Sequence, residues 1–196
     1  MAAYFDPSPT VPGGAAIALE EVEVSILRSL VVQLLELIGP GPAEDEDPLA
    51  ELFAEGPSEA PSDPALARLF PDAYAGPGQR PDAEAEALSA EFRRFTENDL
   101  RARKRDDGLA VVRSLDSLVP DSSAGAVLTL TPEQSRQWLG TLNDLRLTLA
   151  SRLHVSSEDD TATLYELDDE DPRKPLVMAY LWLGGLQESL VETLAV

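Results

Sequence analysis

Apolar residues recur at intervals of three and four along much of the chain, the period of a helix that buries one side. Across residues 19–38, Val22, Ile26, Leu27, Leu30, Leu34, Leu37 and Ile38 form one stripe, while Val24, Val31, Val32 and Leu35 make the other sides apolar too. A helix apolar all round is predicted to sit centrally in a bundle, and Gly39 followed by Pro40 ends it. Near residue 131, Thr131 reads as amino cap, Pro132 as first helical position and Gln134 as capping-box partner. Trp138, Leu142, Leu145, Leu149 and Leu153 then continue a helix of about 22 residues, or roughly 33 Å. A last helix is predicted over 175–194 from Leu176, Tyr180, Leu183, Leu186, Leu190 and Leu194; Gly184 and Gly185 inside it predict close packing against another helix.

The segment 83–118 is less regular. Leu88, Phe92 and Phe95 share one stripe, whereas Leu100, Val111, Leu115 and Leu118 lie on another, so two helices are predicted with a break at Thr96, which would cap the second with Asp99 in its first turn. Residues 15–19 and 126–130 are the good strand candidates and are expected to pair as a two-stranded element. The expected fold is mainly α: a single-domain helical bundle of about five helices with a small β element and acidic disordered loops.

Charge sharpens the boundaries. The chain has 36 acidic residues against 15 Lys plus Arg, for a net −21. Eight acids and no base fall in 40–64, and eight more with no base fall in 154–171, so the two windows hold −16 of that charge. The first, rich in proline, is expected to be a linker with at most a short helix at 48–54 docking through Leu49, Leu52 and Phe53. The second is expected to be an acidic loop spanning 154–173, and residues 1–14 a flexible start. Residues 1–21 lack the basic start and unbroken apolar stretch of a secretory leader, and the longest apolar run, 30–38, is far shorter than a membrane span. A cytoplasmic location is therefore expected.

With no Cys and one His, the composition excludes disulfide scaffolds, Cys-based zinc sites, thiol nucleophiles and relays needing two imidazoles. Phosphate-binding glycine loops, nucleophile elbows and paired-His helices are also missing from the sequence. The acidic clusters Glu158, Asp159, Asp160 and 168–171 do not alternate as calcium-loop ligands do and read as solvated loops. His154 reads as a residue at a helix end, where an imidazolium is favoured. No enzyme activity, metal or cofactor is expected.

Seven bases fall in residues 91–113, and Arg101, Arg103, Lys104 and Arg105 are the one basic concentration. They are candidates to grip an acidic protein or a phosphate backbone; the plainer reading is a helix face neutralised by the chain's own acids. Lys104 would lie along the bundle and leave Arg101 and Arg105, four apart, as an exposed pair suited to carboxylates, for which the acidic windows compete. Nucleic acid is disfavoured by the net charge and by the lack of an aromatic between Arg101 and Arg113.

Three stretches in this order and spacing, residues 63–74 (DPALARLFPDAY), 91–101 (EFRRFTENDLR) and 138–153 (WLGTLNDLRLTLASRL), resemble an actinobacterial family long catalogued as a domain of unknown function and associated with oxidative stress regulators. The likeness runs from about residue 16 to 194. It implies a non-enzymatic cytoplasmic regulator acting by protein contacts, with the transcription machinery as the expected partner; a homo-oligomer is compatible with it. The alternatives are a nucleic-acid-binding regulator using 101–105 and a purely structural adaptor. Two departures stand out: no thiol pair is present to sense oxidants, with oxidation of Met178 open but backed by no pattern, and Gly76, Pro77 and Gly78 replace acids expected after Tyr74. Within the shared stretches, Arg93, Arg94, Asn143, Asp144 and Arg146 are expected to form a structural polar network, with Arg93 or Arg94 paired to Asp144 and fixing helix register.

Overall fold

The computed structural model describes residues 4–40, 55–74, 81–118, 125–155 and 170–195, together with 160, 164, 167 and 168. In chain order these form β1 (Asp6–Pro7), β2 (Ala15–Leu19), α1 (Glu21–Ile38), α2 (Pro64–Leu69), α3 (Ala83–Asp116), β3 (Ala126–Leu130), α4 (Pro132–Arg152) and α5 (Lys174–Leu194). The fold is mainly α with a small antiparallel sheet. The helix expected at 48–54 and much of both acidic windows lie outside the described residues.

Both predicted strands form and pair antiparallel, Ala15 opposite Leu130 and Leu19 opposite Ala126. Strict alternation decides which side is buried: Ala15, Ile17, Leu19, Ala126, Leu128 and Leu130 face the core, and Val127 is 68% exposed. The sheet has a third strand, because residues 6–7, expected to belong to a flexible start, pair with Ala15 and Ala16. Phe5 beside them is buried, with its N–H donating to Ser189 Oγ at 3.1 Å and its ring edge-on to Trp138. At the turn into β2, a Cβ on Gly14 would stand 2.3 Å from the Leu130 carbonyl, so this approach of β2 to β3 requires glycine.

α1 starts at a capping box in which Glu20 and Glu23 each accept from the other's backbone N–H. It is not the central helix that its all-round apolar sequence predicts. Leu27, Val31, Leu34 and Ile38 are buried, whereas Val22 and Ile26 are 59% and 43% exposed. The helix that packs against all four others is α4, through Trp138, Leu142, Leu145 and Leu149. Its cap forms as read: Thr131 Oγ1 accepts from the Gln134 N–H, and Gln134 Oε1 accepts from the Thr131 N–H. On α5, Gly184 lies against the Arg146 guanidinium of α4, while a Cβ at Gly185 would meet the Tyr4 ring at 3.0 Å. One glycine therefore serves a helix contact and the other admits the chain's first described residue.

α3 departs most from expectation. It runs unbroken for 34 residues, and Thr96 caps nothing: its hydroxyl donates to the Phe92 carbonyl one turn back at 2.8 Å. Gly108 lets α3 cross α1 closely, since a Cβ there would touch Leu35 at 3.0 Å.

Candidate partner-binding surface

The split apolar stripe that suggested a break in α3 has another cause. In the amino-terminal half, the residues turned inward are Ser89, Arg93 and Glu97, while Leu88, Phe92 and Phe95 are turned out. The inward side chains make a hydrogen-bonded seam. Arg93, 4% exposed, pairs with Glu97 one turn on, pairs with Asp72 at 2.7 Å and donates to the Phe70 carbonyl at 3.1 Å. Glu97, 3% exposed, also pairs with Arg101 at 2.7 Å, and the Arg101 guanidinium lies 4.2 Å over the Phe70 ring. Two arginines thus share one dry carboxylate, each finding further partners on the segment after α2. Added contacts of this kind offset part of the desolvation cost of a buried ion pair, while Arg93 Nε is left buried without a partner.

The basic block is largely spent on structure. Arg101 Nη1 donates to the Ile38 carbonyl and Arg105 Nη1 to the Gly39 carbonyl, each at 2.8 Å. α1 has no basic residue in its own last turn, so these guanidinium groups satisfy its terminal carbonyls from another helix. Both are half-buried, so the exposed Arg101 and Arg105 pair expected from the sequence does not form. Lys104 does lie inward as expected, with its Nζ 2.6 Å from Asp144 Oδ1. Arg103 is the member of the block that stays exposed.

The residues expected to share one polar network are instead divided among separate contacts, with Arg93 and Arg94 in one region and Asn143, Asp144 and Arg146 in another. Asp144 is bound by Lys104, not by Arg93 or Arg94; Arg94 instead pairs with Glu55 at 2.5 Å. Asn143 and Arg146 both reach Gln187 on α5, and Arg146 stacks 5.3 Å over Tyr180. Burial pushes the Asp144 carboxyl above the usual carboxylate range despite the hydrogen bond and charge of Lys104. Asp107 is raised as well, first by burial and then by the charges of Asp144 and Asp106, with Arg103 and Lys104 opposing. His154 takes a left-handed φ of 58° just past α4, a helix-terminating position. Among the described residues, no group of three or more His, Cys, Asp or Glu is placed to hold a metal ion.

Sequence reasoning missed Glu97 and Asp72. The signal for Glu97 was present in the spacing, since Arg93, Glu97 and Arg101 stand four apart in succession. What the seam leaves outside is equally informative. Leu88, Phe92 and Phe95 are 43%, 47% and 65% exposed, and Tyr74, 52% exposed, packs edge-on against Phe92 with centroids 6.2 Å apart.

Residues 4–194 match the family described as Domain of unknown function (DUF2017). A relative from Mycobacterium leprae, named as an oxidative stress regulator, AosR, is 32% identical over 180 residues, covering 86% of this chain and 77% of its own. The proteins named Oxidative stress regulator AosR from Mycobacterium bovis and Mycobacterium tuberculosis (strain H37Rv) are each 30% identical over 178 residues, with the same shares covered. No solved structure matches the chain significantly.

Proposed function

The chain belongs to the DUF2017 family, and from that premise we propose that it is a non-enzymatic regulator of the oxidative stress response that works in the cytoplasm through protein contacts, with a component of the transcription machinery as its partner. The observation that carries this reading is the shared naming of its relatives as oxidative stress regulators at 30–32% identity over most of both chains. The geometry agrees with it. Arg93, Glu97, Arg101, Lys104, Asp144 and Arg146, the groups best suited to chemistry by type, are tied into ion pairs and hydrogen bonds within α3 or between helices. No described helix is long and apolar enough to cross a membrane. The chain has no cysteine, so an oxidant signal reaches it by some route other than its own thiols.

Affinity capture with the tagged chain from an actinobacterial lysate tests this. Recovery of polymerase or sigma-type subunits is the expected result. Recovery of DNA alone, with steep loss as salt rises, would replace the proposal with nucleic-acid binding. A turnover in a broad hydrolase screen that disappears in Asp144→Asn or His154→Ala would replace it with an enzyme.

A further inference from the structure

We propose that Leu88, Phe92 and Phe95 on the outward face of α3, together with Tyr74, form a docking site for an amphipathic helix of a partner protein whose apolar stripe is flanked by basic residues. The inference deepens the protein-contact reading above and rests on it.

The first argument is geometric. Leu88, Phe92 and Phe95 stand at i, i+4 and i+7, which aligns them over about two turns of one helix face, the ridge that a second helix packs against. Single exposed apolar side chains are ordinary; three on one ridge, with the Tyr74 ring edge-on to Phe92, make an apolar patch rich in aromatic rings. Aromatic side chains of this kind dominate the energetics of interfaces where they occur. Nor does the fold use them, since the same stretch of α3 is anchored on its opposite side by Ser89, Arg93 and Glu97.

Charge chooses the occupant. Glu84, Glu91 and Asp99 are exposed at positions before, between and after the three apolar residues on the same ridge. Arg94, a cation beside the ridge, is already paired with Glu55 while its guanidinium lies 5.7 Å over the Phe95 ring. The ridge is therefore apolar with an acidic rim. A second copy of this chain brings another −21, and nucleic acid or an anionic bilayer brings negative charge as well. A helix with lysine or arginine beside its apolar stripe is matched in both respects.

The test uses the full chain and two synthetic peptides of identical leucine and lysine composition, one with its leucines on a single helical face and one scrambled. Because a strongly acidic protein attracts any cationic peptide, the difference between the two is the readout. Fluorescence anisotropy is expected to show the amphipathic peptide binding about tenfold tighter than the scrambled one, and Phe92→Ala with Phe95→Ala to erase that margin. Glu91→Lys with Asp99→Lys, which leaves the apolar residues in place, is expected to weaken the amphipathic peptide about fivefold and flatten its salt dependence. Equal affinity for the two peptides, or a margin that survives Phe92→Ala with Phe95→Ala, overturns the site. A photo-crosslinker at position 91 that joins to residues 41–54 or to a second copy also overturns it, by naming a different occupant. These results are separable from the lysate experiment: transcription subunits captured equally by the Phe92→Ala, Phe95→Ala variant leave the proposed function standing without this site, and peptide binding without such capture does the reverse.

Discussion

In the carboxyl-terminal half of α3, it is Gly108, Val111 and Leu115 that are buried in the core. In the amino-terminal half, charged and hydroxyl side chains face in while leucine and phenylalanine face out. Both halves belong to one uninterrupted helix, so the contrast cannot be put down to different backbone structure. Apolar burial makes the first half a source of stability. The second half is held by directional contacts that contribute little net stability yet allow very few alternative docking positions, because any slip would strand Arg93 or Glu97 without a partner. A helix built this way keeps its apolar residues available for something other than folding.

The contrast can be broken at its most sensitive point by Glu97→Ala. Removing the carboxylate leaves Arg93 and Arg101 without their shared anion at a nearly dry position, and urea unfolding is expected to show a loss of about 3–5 kcal/mol. Replacing the pair together by Arg93→Met and Glu97→Leu is expected to recover most of that loss, which would separate the penalty of a stranded charge from the worth of the pair. Leu115→Ala probes the conventional half and is expected to cost about 3 kcal/mol through the cavity it leaves.

A smaller effect lies with Asp107, within the carboxyl-terminal half. Its folded pKa is raised, so the stability linked to it is fully present below the unfolded carboxyl value and is lost as pH rises through the folded value. Asp107→Asn should therefore raise the thermal midpoint at neutral pH by an amount worth under about 1 kcal/mol, its partial exposure limiting the gain. The advantage should vanish when both proteins are compared at a pH below the ordinary value of 3.8. The smallest change is expected from Phe92→Ser with Phe95→Ser, within about 0.5 kcal/mol per site despite the loss of two aromatic rings. A loss comparable to that of Leu115→Ala would mean that these rings do serve the fold.

Features governed by neighbours in sequence were legible in it. The two longer strands, the Thr131 cap and the extents of α1, α4 and α5 follow from alternation, capping and helical period, all of which act within a few residues. The orientation of α3 was not legible, because reading apolar positions as interior assumes that the partner surface is apolar, and here it offers Asp72 and the Phe70 carbonyl. The roles of Arg101 and Arg105 depend on carbonyls of residues 38 and 39, brought close only by the crossing of α1 and α3. Likewise, the choice of Lys104 over Arg93 as partner to Asp144 is set by the axial offset of α3 against α4, which no local pattern encodes.

The ladder between β2 and β3 joins segments about a hundred residues apart, with α1, α2 and α3 on the intervening chain. Closing so long a loop carries an entropic cost that five short rungs recover poorly unless the helices between have already drawn the ends together. Sheet formation should accordingly be a late kinetic event. In pulse-labelling exchange during refolding, the amides of Ile17 and Leu128 should gain protection after those in the middle of α4, and a mutation confined to the ladder should speed unfolding far more than it slows folding.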